Sequence, residues 1–288
     1  MKNTQVKFIT IGILFSMLWS SASVAAKFGI LSVEPLVLFQ FRFMLAGILM
    51  LFYAYFIEKS RLPTRSEWIA LAIFGFLNVT VYLSLFVLGI REVAAGIGSL
   101  STSLGPLMMS LLAGVFLGAH INKKEILALF LGVTGVAVAV YPLLFNSYAS
   151  IPGLVYLGFS MLSYSLAALY YSQREWHLSR MAINGWQVFL GGIFMFPLTL
   201  LFHEKSNVFD ARFWFSMIWL AVPVSGLAVS LWLWLLKKDP VRASFFLFLC
   251  PIFGFIFATF LLGEPFTIYT LAGLVFVLAG LYFGQKKN

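Results

Sequence analysis

The chain has 288 residues, of which 61% are hydrophobic and only 10% charged, and its mean hydropathy is +0.98. A soluble domain of this length carries roughly a quarter charged residues, so composition excludes a water-soluble globular protein. The formal charge of +9 is dispersed over short segments, which excludes a nucleic-acid footprint and leaves the lipid bilayer as the surrounding medium.

In chain order, apolar runs predict ten helices, near residues 6–27, 35–57, 68–90, 95–118, 124–144, 152–172, 181–203, 212–236, 241–262 and 267–284. Each is about 18 to 25 residues, enough to cross a hydrocarbon core of roughly 30 Å. The alternation of barrel strands is absent. The predicted class is an all-α integral membrane protein with ten transmembrane helices. Five helices fall in residues 1–146 and five in 147–288. Phe15-Ser16-Met17-Leu18 returns as Phe159-Ser160-Met161-Leu162 after 144 positions, and Pro106 and Leu117-Gly118 return as Pro251 and Leu262-Gly263 after 145. The halves read as two copies. Because an odd number of crossings separates their starts, the second copy is predicted to sit upside down, an inverted repeat of the kind that builds secondary transporters.

Basic residues set the predicted orientation. With the amino terminus inside, fourteen Lys and Arg fall on inner segments (Lys2, Lys7, Lys59, Arg61, Arg65, Lys123, Lys124, Arg174, Arg180, Lys237, Lys238, Arg242, Lys286, Lys287). Four fall outside (Lys27, Arg91, Lys205, Arg212) and Arg42 lies within a helix. That bias places both termini in the cytoplasm. Lys2, Lys7 and Ser23-Val24-Ala25-Ala26 also resemble a cleavable signal peptide. The internal copy of the same segment favours a retained helix whose small residues pack closely.

The first predicted helix carries Ser16, Ser20, Ser23 and Lys27 on one face with Trp19 beside them. Trp19 lies too deep for the interfacial belt that accounts for Trp68, Trp176 and Trp214. The second holds Gln40 and Arg42; a guanidinium in lipid costs several kcal/mol, so Arg42 must face protein or water. It either grips a substrate carboxylate or stabilises the fold by capping carbonyls or pairing with Glu34. The third has Asn78 and Tyr82 one turn apart, and the fourth Ser99, Ser103, Pro106 and Ser110. The repeat maps Trp19 onto Ser163 and Ser20 onto Tyr164 in the sixth helix. Such residues line a cavity, or the serines bond their own helix and let neighbours approach. Gln187 recurs in the seventh helix where Gln40 stands in the second. Pro106, Pro223 and Pro251 predict kinks, whether hinges or static bends. Cys250 is the only cysteine, so no internal disulfide forms. All ten carboxylates and all three histidines lie at helix ends or in loops. Without a mid-membrane acid, diffusion down the solute's own gradient is favoured over proton coupling, with Glu264 at the outer rim as the alternative coupler.

Asp239-Pro240-Val241-Arg242-Ala243-Ser244, Cys250-Pro251, Leu261-Leu262-Gly263-Glu264-Pro265, the duplicated five-helix unit and Arg42-Phe43 together resemble the EamA family of the drug/metabolite transporter superfamily. The first half departs from the pattern, with Leu117-Gly118-Ala119-His120 where the second has Leu262-Gly263-Glu264-Pro265. The resemblance implies a ten-helix transporter with a central cavity between the halves, helices 5 and 10 behind it, and small metabolites or drugs as cargo, commonly moved outwards.

The expected function is secondary transport of a small organic metabolite, an amino acid or related amphiphile, by alternating access in a bacterial inner membrane. Trp19, Arg42, Asn78, Tyr82, Ser103, Ser163 and Tyr164 are the candidate substrate contacts. No His-Glu-x-x-His, Walker or dinucleotide-binding pattern occurs, so no enzyme activity, cofactor or metal is expected. The alternatives are a multidrug or organic-cation exporter on the same scaffold and an integral-membrane lipid-modifying enzyme. Gly132, Gly135, Gly273 and Gly280 suggest either internal packing or a homodimer through helices 5 and 10.

Overall fold

The computed structural model describes residues 2–102, 104–117, 123–145, 150–204 and 206–285. Among these residues the chain is helical, without a β-strand. The helices are α1 (Lys2–Gly29), α2 (Pro35–Ile57), α3 (Arg65–Glu92), α4 (Ala95–Phe116), α5 (Lys123–Phe145), α6 (Ile151–Gln173), α7 (Arg180–Leu201), α8 (Ala211–Lys238), α9 (Pro240–Leu262) and α10 (Ile268–Gln285). Eight are long and apolar enough to cross a membrane; α5 and α10 contain the shorter apolar stretches Ile126–Ala139 and Ile268–Gly280.

Local chemistry starts these helices. Ser150 Oγ accepts the Gly153 N–H at 3.1 Å, and Ser179 Oγ accepts that of Ala182 at 3.1 Å. Asp210 accepts the amides of Arg212 and Phe213, and Asp239 accepts that of Arg242 at 2.9 Å. These side chains satisfy amides that a helix start leaves without internal partners. Thr64 and Glu67 form a capping box on α3, and Arg61 grips both oxygens of Glu67 at 2.7 and 2.8 Å. Asp210 has its carboxyl held below the usual range, chiefly because the Phe213 amide donates to the ionised form.

The start of α4 is capped from a distance. Its N-cap residue, Ala94, has no side chain for the task. Glu264, just beyond α9, accepts the Ala95 N–H at 2.8 Å and the Gly96 N–H at 3.1 Å. Gly263 makes the turn that delivers it: its φ of 67° is left-handed, a region that penalises residues with a Cβ.

The helices depart from regular α geometry at related places. Phe76–Val81 in α3 and Leu220–Ala228 in α8 are π-helical. Phe245–Leu249 in α9 is a 3-10 turn, and α4 is interrupted after Ser101. Pro251 is the second residue of the regular helix that follows the 3-10 turn, and Pro223 lies within the π stretch of α8. Lacking an N–H, each proline falls where the α ladder is already broken.

Contacts identify the two ends of the bundle. At one end the Lys7 and Lys238 ammoniums each lie 5.8 Å from the Trp234 ring centroid, and Arg174 donates to the Ser66 carbonyl at 3.0 Å. Lys237 donates to the carbonyls of Ser172 and Arg174 there. At the other end Glu34 meets His203 and Asn207, and the Val208 N–H donates to Ser32 at 2.9 Å.

Glycines set the closest approaches. A Cβ on Gly135 would stand 2.5 Å from the Gly273 carbonyl oxygen, and one on Gly273 would stand 2.4 Å from that of Gly135. The glycines associated from sequence with a dimer thus mesh α5 with α10 inside the chain. Between α4 and α9, a Cβ on Gly254 would stand 2.1 Å from that of Ser99.

Gly254→Leu should therefore lower the detergent-solubilised melting midpoint by on the order of 5 °C, the overpacking cost expected of a rigid contact. Gly158→Ala, where a Cβ meets nothing within 4 Å, should leave it unchanged. Glu264→Ala removes the α4 cap, and the same thermal scan should show a drop of roughly 2–4 °C.

Candidate functional site

Five helices converge on a narrow cavity lined by Trp19, Ser20 and Ser23 of α1, Arg42 of α2, Tyr82 and Phe86 of α3, Ser99 and Thr102 of α4, and Val224 of α8. Its volume is about 10 Å³, room for roughly one water.

Arg42 is 2% exposed. Its Nε donates to Ser225 Oγ at 2.9 Å, and its guanidinium carbon lies 4.9 Å from the Phe39 ring centroid and 5.3 Å from that of Phe43. Rings at that range stabilise a desolvated cation. Among the described residues no carboxylate forms an ion pair with it. Glu34, the partner considered from sequence, instead bonds His203 and the Glu204 amide. The two terminal nitrogens of Arg42 have no hydrogen-bond partner among the described residues, and the residue borders the cavity. A fixed cation with spare donors is suited to an anionic group, above all a carboxylate that takes two parallel bonds.

Aromatic rings build the adjoining wall. Tyr82 and Tyr164 have ring centroids 5.0 Å apart, and Trp19 lies 6.0 Å from Tyr164. Trp232 stacks on Tyr164 at 5.6 Å and on Phe15 at 4.9 Å. The Tyr164 hydroxyl is buried without a partner among the described residues. Native proteins seldom leave such a group unbonded; this one lies behind the cavity lining, against Trp19 and Tyr82.

The remaining candidates occupy a different setting. Asn78 Nδ2 donates to Gln187 Oε1 at 2.9 Å, Gln187 Nε2 donates to Asn184 Oδ1 at 3.0 Å, and Asn184 Nδ2 donates to the Ser225 carbonyl at 2.7 Å. This chain of amides leads from α3 through α7 to the residue that holds Arg42. Gln40 also bridges helices, donating to the Gly192 carbonyl at 3.2 Å. Ser163 donates to the Leu77 carbonyl at 2.8 Å, within the π stretch that carries Asn78. Of the sequence candidates, Trp19, Arg42 and Tyr82 border the cavity and Tyr164 packs against them, whereas Asn78 and Ser163 support α3. Ser103 lies outside the described residues, as does His120.

Sequence reasoning missed Phe15, Thr102, Ser225 and Trp232. Phe15 had a usable signal, since it stands four residues before Trp19 on the same face. Trp232 had none: Trp232 and Trp234 point to different sides of α8, and only packing shows that Trp232 is interior, at 2% exposure, while Trp234 meets the lysines at the helix end.

Gln187→Leu should leave Asn78 and Asn184 unbonded at one side each. The expected loss is about 1–3 kcal/mol for a buried polar group deprived of its partner, read as a lower unfolding midpoint of the full chain in detergent. Gln187→Glu, which keeps an acceptor for Asn78, should recover part of it.

A family model described as the EamA-like transporter family matches residues 6–141 and again residues 151–283. An uncharacterized transporter of Archaeoglobus fulgidus is 27% identical over 274 residues, covering 94% of this chain and 95% of that protein. The protein PecM of Dickeya dadantii is 25% identical over 257 residues, covering 88% and 83%. A solved crystal structure superposes with a TM-score of 0.76 over 97% of both chains at 15% identity, which shows a shared fold. With the family model matched twice and across nearly its whole length, this membrane-embedded chain belongs to the EamA-like transporter family.

Proposed function

We propose that the chain is a secondary carrier for a small organic solute bearing a carboxylate, an amino acid or related amphiphile being the class that fits. It works by alternating access between two inverted five-helix halves, residues 1–146 and 147–288, with α5 and α10 completing ten crossings. The observation that carries the solute class is Arg42: a buried guanidinium on a cavity, held by one serine and two phenyl rings, with terminal donors unengaged among the described residues. A solute carboxylate would take those donors while Trp19, Tyr82 and Tyr164 cover its apolar part.

Inversion is supported by the helix ends. Lys7, near the start of α1, lies beside Trp234, whereas Ser150, at the start of α6, meets Glu92 at the opposite end of the bundle. The lysine- and arginine-rich end is assigned to the cytoplasm of a bacterial inner membrane, with both termini there. A cavity of about 10 Å³ admits no amino acid, so the halves must part to load it. The solute's own gradient drives the cycle in this reading, because both oxygens of Glu264 are engaged by α4 amides. Any homodimer through α5 and α10 would use their outward faces, since their glycines are occupied internally. The aromatic wall favours a second cargo, organic cations, but Arg42 in the same cavity opposes positive charge. The relatives' transporter names favour both carrier readings over a lipid-modifying enzyme.

Counterflow of labelled amino acids in proteoliposomes tests the proposal. Arg42→Gln should raise the KM for a carboxylate solute roughly tenfold to a hundredfold, the worth of a charged hydrogen-bond pair. The corresponding decarboxylated amine should be insensitive to the change. Equal uptake of the acid by both proteins would remove Arg42 from the site.

A further inference from the structure

Two hydroxyl groups on the solute cavity have already committed their protons. Ser20 Oγ of α1 donates to the Ser16 carbonyl at 2.5 Å, and Thr102 Oγ1 of α4 donates to the Ser99 carbonyl at 2.6 Å. Both residues border the cavity and are at most 3% exposed. A hydroxyl carries one proton and two lone pairs, so each of these oxygens is left as an acceptor. Among the described residues no side chain or amide donates a hydrogen bond within normal geometry to either oxygen. The Cys250 thiol lies close to both, which makes Ser20 and Thr102 neighbours. A thiol is a weak donor with a single proton, so at least one lone pair stays open on each oxygen.

The cavity thus has two chemistries. On α2 the terminal nitrogens of Arg42 only donate; on α1 and α4 Ser20 and Thr102 only accept. We propose that Ser20 and Thr102 form an ammonium subsite and that the cargo is a zwitterion carrying both charged groups on one carbon, an α-amino acid. The carboxylate half of this assignment rests on the role proposed above for Arg42; the ammonium half does not. An ammonium brings three protons and no acceptor, so it matches oxygens whose own protons are spent, and its charge strengthens each bond. Neutral oxygens suit this cavity, because a carboxylate in either place would pair with Arg42 and occupy the site from within. Donors and acceptors border one cavity of about 10 Å³, so the groups they hold must be close together, as they are on an α-carbon.

The test is counterflow by the full chain in proteoliposomes, with two amino acids and their deaminated counterparts: leucine with isocaproate, and phenylalanine with hydrocinnamate. For at least one pair the native chain should show a KM about tenfold or more lower for the amino acid, the worth of a charge-assisted hydrogen bond. The hydroxy analogue, with one proton to offer, should fall between. Thr102→Val, which keeps the shape and removes the acceptor, and Ser20→Ala should bring the ratio of the two KM values toward one. Thr102→Ser should restore it. Because both solutes are measured on the same variant, a loss of folded protein scales both uptakes and leaves the ratio unmoved. Arg42→Gln should raise both KM values and preserve the ratio. A ratio that responds to Thr102→Val while Arg42→Gln alters neither KM keeps the ammonium subsite and removes the carboxylate one. No preference for either amino acid in the native chain, a preference that survives both Thr102→Val and Ser20→Ala, or a hydroxy acid carried better than its amino acid would each overturn the proposal.

Discussion

One hydrogen bond, from Arg42 Nε to Ser225 Oγ, is the interaction on which the interior of this protein turns. An isolated guanidinium at membrane depth costs several kcal/mol or more, and here no carboxylate among the described residues offsets it. The cost is met by Ser225, by the faces of Phe39 and Phe43, and by the cavity itself. Ser225 reaches Arg42 from a π-helical stretch of α8, and its carbonyl is secured by Asn184. The cation, the irregular helix and the amides behind it form one dependent assembly.

Irregular backbone within a bilayer survives only where side chains satisfy the groups it frees. The departures in α3, α8 and α9 have such partners, Asn184 serving the Ser225 carbonyl in α8. The Leu77 carbonyl in the π stretch of α3 accepts Ser163, and Thr80 from the same stretch donates to the Gly191 carbonyl at 2.8 Å. The 3-10 turn of α9 is met by Ser16, which donates to the Phe246 carbonyl at 2.8 Å, and by Thr102, which reaches the Leu247 carbonyl at 3.4 Å. Serine and threonine are abundant along these helices because the walls of the cavity are bent, and bent helices need donors.

The helices were legible because lipid demands long apolar runs and their ends carry chemistry that reads directly. Ser150, Ser179, Asp210 and Asp239 each stand one residue before a helix and cap it. The duplicated four-residue segment in α1 and α6 disclosed the two halves. Within the site, Arg42 and Trp19 stood out because a charge and an indole at such depth each require a reason. The π stretches did not, since a shift in hydrogen-bond register reflects what packs against the helix and leaves little composition signal. Asn78 shows the limit. An amide in mid-membrane needs a partner, but whether solute or protein supplies it depends on α7 placing Gln187 2.9 Å away.

The row of carboxamides from Asn78 through Gln187 to Asn184 has a consequence for operation. Carboxamides neither bind nor release protons over any range a living membrane meets. The scaffolding behind the guanidinium thus keeps the same polarity on both sides of a bilayer whose two faces differ in acidity. On the alternating-access reading proposed above, a chamber braced by these carboxamides keeps that part of its wall unchanged in charge whichever side it opens toward.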